Sequence, residues 1–342
     1  MKSVSAIPRL PVTAFACFLA LSLGWLGLKP LDLDEAIVLT RSSIPVADLL
    51  LIPYSPLYLL LLHAWTLVST DTYWLRLLGV ILSVIGLALA PRVMRAMGGT
   101  HAATGAVWLL ALSPFFVHQA RSLSPAPLAF VTVLALYLCF FEYTRAGQWA
   151  WLVAWTVVAL AMQLVHGGLF AIVLIQCLAM GLFRERLRNK QRNWWLAQIL
   201  PAALFALLFG AQFNRFVADR ISEVNAASSV GAQWARLGTD LPLPWSAMGG
   251  GLLLLLLVSG VIACRDWRRD LRHTILLLGA AVPLCVWLLW LSHDFYAVAA
   301  LPCLATLGAI GIRTYPRWGR QMLWTAAAVT YGWSHWQMLP PQ

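Results

Sequence analysis

Residues 74–91 read WLRLLGVILSVIGLALAP, an apolar run with a single charged residue, Arg76. As an α-helix, a run of this length extends about 27 Å, close to the roughly 30 Å thickness of the hydrocarbon core of a bilayer. Similar runs recur along the 342-residue chain, which is 61% hydrophobic and only 11% charged. About a quarter of the residues of a soluble chain are charged. The composition therefore predicts an integral membrane protein and excludes a soluble enzyme, a disordered chain and a bitopic receptor.

The apolar runs predict about eleven membrane-spanning helices. The predicted spans are 9–28, 74–91, 103–118, 126–142, 148–165, 167–183, 194–212, 245–263, 274–291, 295–312 and 321–336. The first is expected to be an anchor rather than a signal peptide, because no convincing cleavage site precedes Lys29. No polar stretch is long enough to bury a core, so we expect one transmembrane domain over residues 1–342 and no separate soluble domain.

Residues 56–68, PLYLLLLHAWTLV, are apolar but would extend only about 20 Å as a helix, too short to cross. If they do not cross, 17 of the 24 Lys and Arg residues face the cytoplasm, as the positive-inside rule requires. If they cross, fifteen of these 17 move outside. We therefore predict a juxtamembrane helix within a first outer loop, residues 29–73, and a cytoplasmic N-terminus. The net charge of +11 then reflects topology and does not indicate nucleic acid as a partner.

An acidic cluster opens this loop, in the stretch Lys29-Pro30-Leu31-Asp32-Leu33-Asp34-Glu35-Ala36. Carboxylates this close at a membrane surface repel one another and are partly desolvated, so we expect a raised pKa for at least one of them. Such a carboxylate can accept a proton from an acceptor hydroxyl or amine. Acidic residues also favour the first turn of a helix, here from about Asp34 to Ser42. The residues alone leave the catalytic and the structural interpretation open.

Further motifs follow the Asp34-Glu35 pair in order. They are Ser55-Pro56-Leu57-Tyr58-Leu59, Arg76-Leu77-Leu78-Gly79, Leu112-Ser113-Pro114-Phe115-Phe116, Leu164-Val165-His166-Gly167 and the stretch from Phe295-Tyr296 to Pro302. With the predicted topology, this ordered set resembles the GT-C superfamily of polyprenyl-phosphate-sugar glycosyltransferases. The resemblance is to the branch of protein O-mannosyltransferases and lipid A aminoarabinose transferases.

The resemblance implies an all-α, polytopic, GT-C-like fold and an inverting membrane glycosyltransferase. Such an enzyme moves a sugar from a polyprenyl-phosphate donor to an acceptor at the outer, periplasmic face of a bacterial inner membrane. Asp34 would be the general base, and Glu35 would orient Asp34 or the acceptor. Cations would stabilise the charge that develops on the polyprenyl phosphate. Arg121 is the first choice, followed by Arg76 and Arg41. The other residues expected to bind donor phosphate or substrate are Gln119, Tyr58, His166, His293, Asp294 and Tyr296.

The second outer loop departs from the family, which often has Gln-Glu-Ala-Arg where this chain has His118-Gln119-Ala120-Arg121. The missing Glu weakens a metal-site interpretation, so no metal ligand and no firm cofactor is assigned, and a divalent metal stays open. Residues 213–244 form a long outer loop that is expected either to enclose the acceptor or to be a surface linker.

Several alternatives remain open from the sequence. The acceptor can be a lipid, a glycan or a protein, and membrane lipids are expected as further partners. A polytopic transporter or lipid flippase is one alternative function. A non-catalytic GT-C-fold subunit of an envelope-glycan assembly system is another.

Overall fold

A computed structural model describes residues 12–24, 26–27, 30–49, 55–207, 247–265, 270–286 and 294–337 of the chain. All regular secondary structure within these residues is helical. The helices are α1 (Val12–Leu23), α2 (Leu33–Ser42), α3 (Val46–Leu49), α4 (Pro56–Thr66), α5 (Thr72–Leu112), α6 (Pro114–Arg121), α7 (Ala126–Ala146), α8 (Trp149–Val165), α9 (Phe170–Leu182), α10 (Arg188–Ala197), α11 (Ala247–Ala263), α12 (Leu271–Val286), α13 (Asp294–Arg313) and α14 (Arg317–Gln337), with a 3₁₀ turn at Gly167–Leu169.

Each predicted span overlaps helical residues, and the spans 74–91 and 103–118 both overlap α5. By length and composition, α5 and α7 could each cross a membrane, and the other apolar helices are shorter. Aliphatic side chains such as Val157 on α8 and Leu174 on α9 are exposed. Exposed aliphatic surface along apolar helices is typical of a helical membrane protein, because these side chains contact acyl chains.

Helix α5 consists of two arms that meet at Gly99. Gly99 has φ 80° and ψ 172°, a conformation that glycine adopts without the strain any side chain would cause. The sequence predicted two spans here, 74–91 and 103–118, and Gly99 lies in the segment between them. The second predicted span is itself interrupted: Ser113 is extended, and its hydroxyl accepts a hydrogen bond from the N–H of Phe116. Pro114 then starts α6, because proline cannot continue the preceding helix.

Helix α10 begins at Arg188, six residues before the start of the predicted span 194–212. The ammonium group of Lys190 donates to the carbonyl oxygens of Thr144 (2.5 Å) and Arg145 (3.2 Å) at the end of α7. The Tyr143 hydroxyl donates to the Lys190 carbonyl oxygen at 2.7 Å. Lys190 therefore caps the C-terminus of α7, where a cation is favoured by the unpaired carbonyls.

The predicted juxtamembrane helix forms as α4, and two contacts fix it to its neighbours. The indole rings of Trp65 and Trp74 stack with centroids 4.4 Å apart. Each indole N–H also donates to the carbonyl oxygen of the other residue, at 2.8 and 3.1 Å, which joins the end of α4 to the start of α5. His63 Nδ1 hydrogen-bonds to the Ser42 carbonyl oxygen at 2.7 Å, so the last turn of α2 lies beside the last turn of α4.

Helix α5 approaches the end of α6 closely at Gly79. A Cβ atom at this position would lie 2.6 Å from the Ala120 carbonyl oxygen and 3.3 Å from that of Ser122. Both oxygens belong to backbone, which cannot move aside like the end of a flexible side chain. The absence of a side chain at position 79 therefore lets α5 contact the backbone around Arg121.

We predict that Gly79→Ala lowers the stability of the protein by about 1–3 kcal/mol, the usual cost of forcing extra atoms into a packed interior. The measurement is the thermal unfolding midpoint in detergent. Gly181→Ala on α9 is the matched control, because a Cβ there meets nothing within 4 Å. An unchanged midpoint for Gly79→Ala, relative to this control, would contradict the close approach.

Candidate functional site

The carboxylate of Glu35 is the centre of the described site. It is 3% exposed and accepts four hydrogen bonds. Arg76 donates two, from Nε to Oε1 at 3.0 Å and from Nη2 to Oε2 at 2.5 Å. The backbone N–H of Leu123 donates to Oε1 at 2.9 Å, and that of Asp32 to Oε2 at 3.2 Å. Glu35 therefore joins three parts of the chain: the first loop (residues 29–73), the start of α5, and the turn between α6 and α7.

Arg76 extends this network towards the end of α1. Its side chain is 7% exposed and forms a buried ion pair with Glu35. Nη1 donates to the Leu26 carbonyl oxygen at 3.1 Å, and Nη2 to that of Pro30 at 3.0 Å. A buried charge destabilises a protein unless it is paired and hydrogen-bonded, and here both charges are. Arg76, at the start of α5, therefore binds the backbone at two places in the chain that follows α1, at Leu26 and at Pro30.

Asp32 and Glu35 also cap α2. The Asp32 side chain accepts from the Glu35 N–H at 2.8 Å, and the Glu35 side chain accepts from the Asp32 N–H in return. This reciprocal pair is a capping box, and it satisfies donors that the helix itself leaves unpaired. Asp32 and Glu35 therefore have the structural role, at the first turn of a helix, that the sequence left open for the acidic cluster.

Asp34 lies between these two residues and has a different environment, because it is exposed at the surface of α2. Successive residues of a helix are about 100° apart around its axis, so Glu35 points inward while Asp34 points outward. The capping box and the ion pair fix the backbone on either side of Asp34. Its side chain therefore projects from a fixed position of the backbone and stays accessible.

The electrostatics of Glu35 differ from the sequence-based expectation. Burial by itself would raise its pKa. Hydrogen bonds from Arg76, Leu123 and Asp32, with the positive charge of Arg76, outweigh burial and lower the pKa below its ordinary value of 4.5. The rise in pKa expected for at least one carboxylate of the cluster therefore does not occur at Glu35, because Arg76, 41 residues away, pairs with it.

The last turn of α6, just before the turn between α6 and α7, carries Gln119 and Arg121. Arg121 is partly buried, and its pKa is lowered by burial and by the charge of Arg76. Gln119 is 3% exposed, and its Oε1 accepts from the Ser124 hydroxyl at 3.3 Å. The Ser122 hydroxyl donates to the Gln119 carbonyl oxygen at 3.1 Å. The N–H of Leu123 reaches Glu35, so this turn is tied directly to the helix that bears Asp34.

The other predicted site residues are spread more widely. Tyr58 on α4 is 1% exposed, and burial and the charge of Glu35 raise its pKa, which keeps the hydroxyl neutral. Its hydroxyl has no hydrogen-bond partner among the described residues. His166 lies at the end of α8, where its Nδ1 accepts from the Gly168 N–H at 3.2 Å. Arg41 is exposed in the last turn of α2. His293, the side chains of Asp294 and Tyr296, and residues 213–244 lie outside the described residues.

Some members of the site carry weak sequence signals. The spacing Asp32-x-x-Glu35 is a capping pattern that could have identified the structural role of both residues. The Leu123 N–H carries no signal, because any residue except proline supplies such a donor. The same holds for the pairing of Glu35 with Arg76, which depends on how α1, α2 and α5 pack.

The described residues do not fit a divalent metal ion. They contain no group of three His, Cys, Asp or Glu side chains close enough to hold one. Both oxygens of Glu35 already accept hydrogen bonds from Arg76 and from backbone N–H groups. The α6–α7 turn contributes the neutral groups of Gln119, Ser122 and Ser124, whereas Mg²⁺ sites are built around one or two carboxylates.

Solved structures share the fold of this chain. AglB, an archaeal oligosaccharyltransferase from Archaeoglobus fulgidus in complex with an inhibitory peptide and a dolichol-phosphate, matches 95% of the chain with 12% identity and a TM-score of 0.64. The A. fulgidus oligosaccharyltransferase in complex with Zn and sulfate matches 95% with 13% identity and a TM-score of 0.63. ArnT from Cupriavidus metallidurans bound to undecaprenyl phosphate matches 94% with 17% identity and a TM-score of 0.63.

These matches cover 55%, 52% and 63% of the three solved chains, so this chain spans between about half and two thirds of their length. No protein-family model and no curated protein sequence matches the chain. At identities this low, the structural matches show a shared fold only. Both AglB and ArnT have the GT-C fold, and the chain has it too, as the ordered motifs predicted.

We predict that Glu35→Gln lowers stability by about 3–5 kcal/mol at pH 7, because it leaves Arg76 buried without its counter-charge. A lowered pKa also makes stability depend on pH. The Glu35 contribution is fully present above its ordinary value of 4.5 and is lost as the pH falls through the lowered value in the folded protein. Thermal unfolding of wild type and variant between pH 7 and pH 3 tests both effects.

In this series, we expect the variant to lose less stability on acidification than wild type. Glu185→Gln is the control, since Glu185 is exposed. Equal acid sensitivity of wild type and Glu35→Gln would contradict the assigned ion pair.

Proposed function

We propose that the chain is an inverting membrane glycosyltransferase. It takes a sugar from a polyprenyl-phosphate-linked donor and transfers it to an acceptor at the outer, periplasmic face of a bacterial inner membrane. The observation that carries the proposal is the coupling of two groups. The exposed carboxylate of Asp34 lies on α2. The hydrogen bonds of Glu35 connect α2 to the turn that directly follows Arg121. The fold shared with AglB and ArnT supports the same class of reaction.

Asp34 serves as the general base of this reaction. Its carboxylate takes the proton from the acceptor hydroxyl or amine as that atom attacks the sugar C1. The new bond to C1 forms while the bond between C1 and the phosphate oxygen breaks, and the electron pair leaves with the polyprenyl phosphate. The configuration at C1 inverts because attack and departure occur on opposite sides. The proton passes from Asp34 to solvent when the products leave.

Arg121 stabilises the leaving group. The negative charge that returns to the phosphate needs fixed cations, and a guanidinium group offers paired donors to phosphate oxygens. Arg76 adds positive charge nearby, but four of its hydrogen bonds are made within the protein. We therefore assign Arg76, with Glu35, to positioning. Tyr58, Gln119, Arg41, His166, His293, Asp294 and Tyr296 are proposed to line the donor and acceptor sites.

The position of the buried charges favours this reaction over transport. Among the described residues, the Glu35–Arg76 pair lies where the first loop meets the start of α5. Transporters place their substrate and ion sites near the membrane midplane. A charge network at the end of a predicted span instead supports chemistry at the membrane surface.

We expect Asp34→Asn to slow the release of polyprenyl phosphate by roughly 10²–10⁴-fold, because the amide cannot accept the proton. Purified protein, incubated with a polyprenyl-phosphate sugar and a membrane extract as acceptor, provides the assay, and donor binding should be retained. Asp48→Asn is the matched control, because Asp48 is an exposed carboxylate in the same loop. Turnover by Asp34→Asn at the wild-type rate would refute the base assignment.

Arg121→Gln is expected to slow turnover by about 10²–10³-fold, the usual effect of removing one donor to a developing negative charge. The same release assay measures the rate, and titration with polyprenyl phosphate measures the affinity, which should also fall. Arg145→Gln, at the other end of α7 and exposed, should leave both unchanged. Normal affinity and rate in Arg121→Gln would remove this residue from the donor site.

A further inference from the structure

Helix α2, which bears Asp34, is attached to the rest of the protein at both of its ends. Glu35 and Ser42 are its buried residues, and they lie about two helical turns apart on one face. The Glu35 carboxylate fixes the first turn through Arg76. The last turn is fixed at the Ser42 carbonyl oxygen, which lies 2.7 Å from Nδ1 of His63. Because a helix of ten residues is marginally stable by itself in water, these attachments determine where α2 lies.

The hydrogen bond of His63 has a defined direction. A carbonyl oxygen can only accept, so Nδ1 of His63 carries the hydrogen and donates it to Ser42. The carbonyl oxygens in the last turn of a helix have no partner within that helix. The Ser42 hydroxyl donates to the Leu39 carbonyl oxygen of its own helix at 2.7 Å, so the carbonyl oxygen makes the contact with α4. His63 thus supplies a donor that α2 itself lacks, from 21 residues away in the chain.

The two attachments of α2 come from helices that are joined to each other. His63 lies in α4 two residues before Trp65, and Arg76 lies in α5 two residues after Trp74. The stacked indole rings and their reciprocal hydrogen bonds connect these two helices directly. The ion pair of Arg76, the indole pair and the hydrogen bond of His63 therefore form a closed ring of contacts through α2, α4 and α5. Loss of the His63 bond opens this ring and frees the last turn of α2 to move.

We propose that His63 is a positioning residue for Asp34, the base of the proposed reaction, and that it acts by fixing the direction of α2. This inference rests on the proposed function. The Asp34 side chain projects about 100° around the helix axis from Glu35, so a tilt of α2 about Glu35 displaces the Asp34 carboxylate. A general base must lie within hydrogen-bond reach of the group that it deprotonates. A misplacement of about 1 Å can slow a reaction on the order of 100-fold, so His63 affects the rate without touching the substrate.

The test compares three side chains at position 63. The amide nitrogen of asparagine is as many bonds from Cα as Nδ1 of histidine, so His63→Asn keeps a donor at the same place. His63→Gln carries the same amide one bond further out, and His63→Leu has no donor. The full chain is incubated with a saturating polyprenyl-phosphate sugar and a membrane extract as acceptor, and the release of polyprenyl phosphate is measured.

We expect His63→Leu and His63→Gln to slow release roughly 10–100-fold, because the Asp34 carboxylate is displaced. His63→Asn should stay within about threefold of wild type, since its amide replaces the lost donor. Titration with polyprenyl phosphate should give the same affinity for all three variants, because His63 is expected to affect the rate of the reaction and not the binding of the donor.

A double-variant cycle separates positioning from a purely structural role. If His63 acts through Asp34, adding His63→Leu to Asp34→Asn should slow the residual rate by less than about twofold, because the base is already absent. A loss of folded protein would instead slow both backgrounds by the same factor. Tyr143→Phe is the matched control. It removes a hydroxyl that donates to the Lys190 carbonyl oxygen, also at 2.7 Å, and it should leave release unchanged.

Three results would overturn the inference while leaving the proposed function intact. The first is release at the wild-type rate by His63→Leu. The second is equal release by His63→Asn and His63→Gln, which would mean that the place of the donor does not matter. The third is the same relative loss from His63→Leu with and without Asp34→Asn. Failure of the wild-type chain to release polyprenyl phosphate from any polyprenyl-phosphate sugar would instead overturn the proposed function, and the inference with it.

Discussion

The site depends on the ion pair between Glu35 and Arg76. Two charges removed from water destabilise a protein unless they neutralise each other and satisfy their remaining hydrogen-bonding capacity. Here the carboxylate also accepts from the N–H groups of Asp32 and Leu123, and the guanidinium also donates to the carbonyls of Leu26 and Pro30. Since these groups belong to separate parts of the chain, satisfying one pair of charges fixes the relative positions of α1, α2, α5 and the α6–α7 turn.

Two neighbouring carboxylates have different roles because of this arrangement. Glu35 is buried and fully hydrogen-bonded, so it stays ionised and has no capacity left for an acceptor. Asp34 is exposed one position earlier on the same helix, and in the proposed reaction it is this carboxylate that takes the proton. The placement of one carboxylate in the interior and its neighbour at the surface thus follows from the helical positions of adjacent residues. In the proposed mechanism, stability depends on Glu35 and the chemistry on Asp34.

The sequence predicted the fold more completely than the site. Apolar run length located the helices, including α4, because this signal acts locally along the chain. The motifs from Asp34-Glu35 to His166-Gly167 then predicted the GT-C fold. The sign of the Glu35 pKa shift could not be predicted in this way, since it depends on Arg76, 41 residues away, and on the Leu123 N–H. Ser113-Pro114 is a helix-breaking pair in the sequence, but the apolar residues on both sides of it led to the prediction of one continuous span, 103–118.

The Glu35 network also orders the events of biosynthesis. The capping box between Asp32 and Glu35 joins residues three apart and can form as soon as they emerge. The bonds to Arg76 and Leu123 close over 41 and 88 residues, and at usual rates of translation the second follows on the order of ten seconds later. Until then the Glu35 carboxylate must remain hydrated at the membrane surface. The nascent chain therefore completes this network only after α5 and α6 have been synthesised, so the position of α2 depends on residues made well after it.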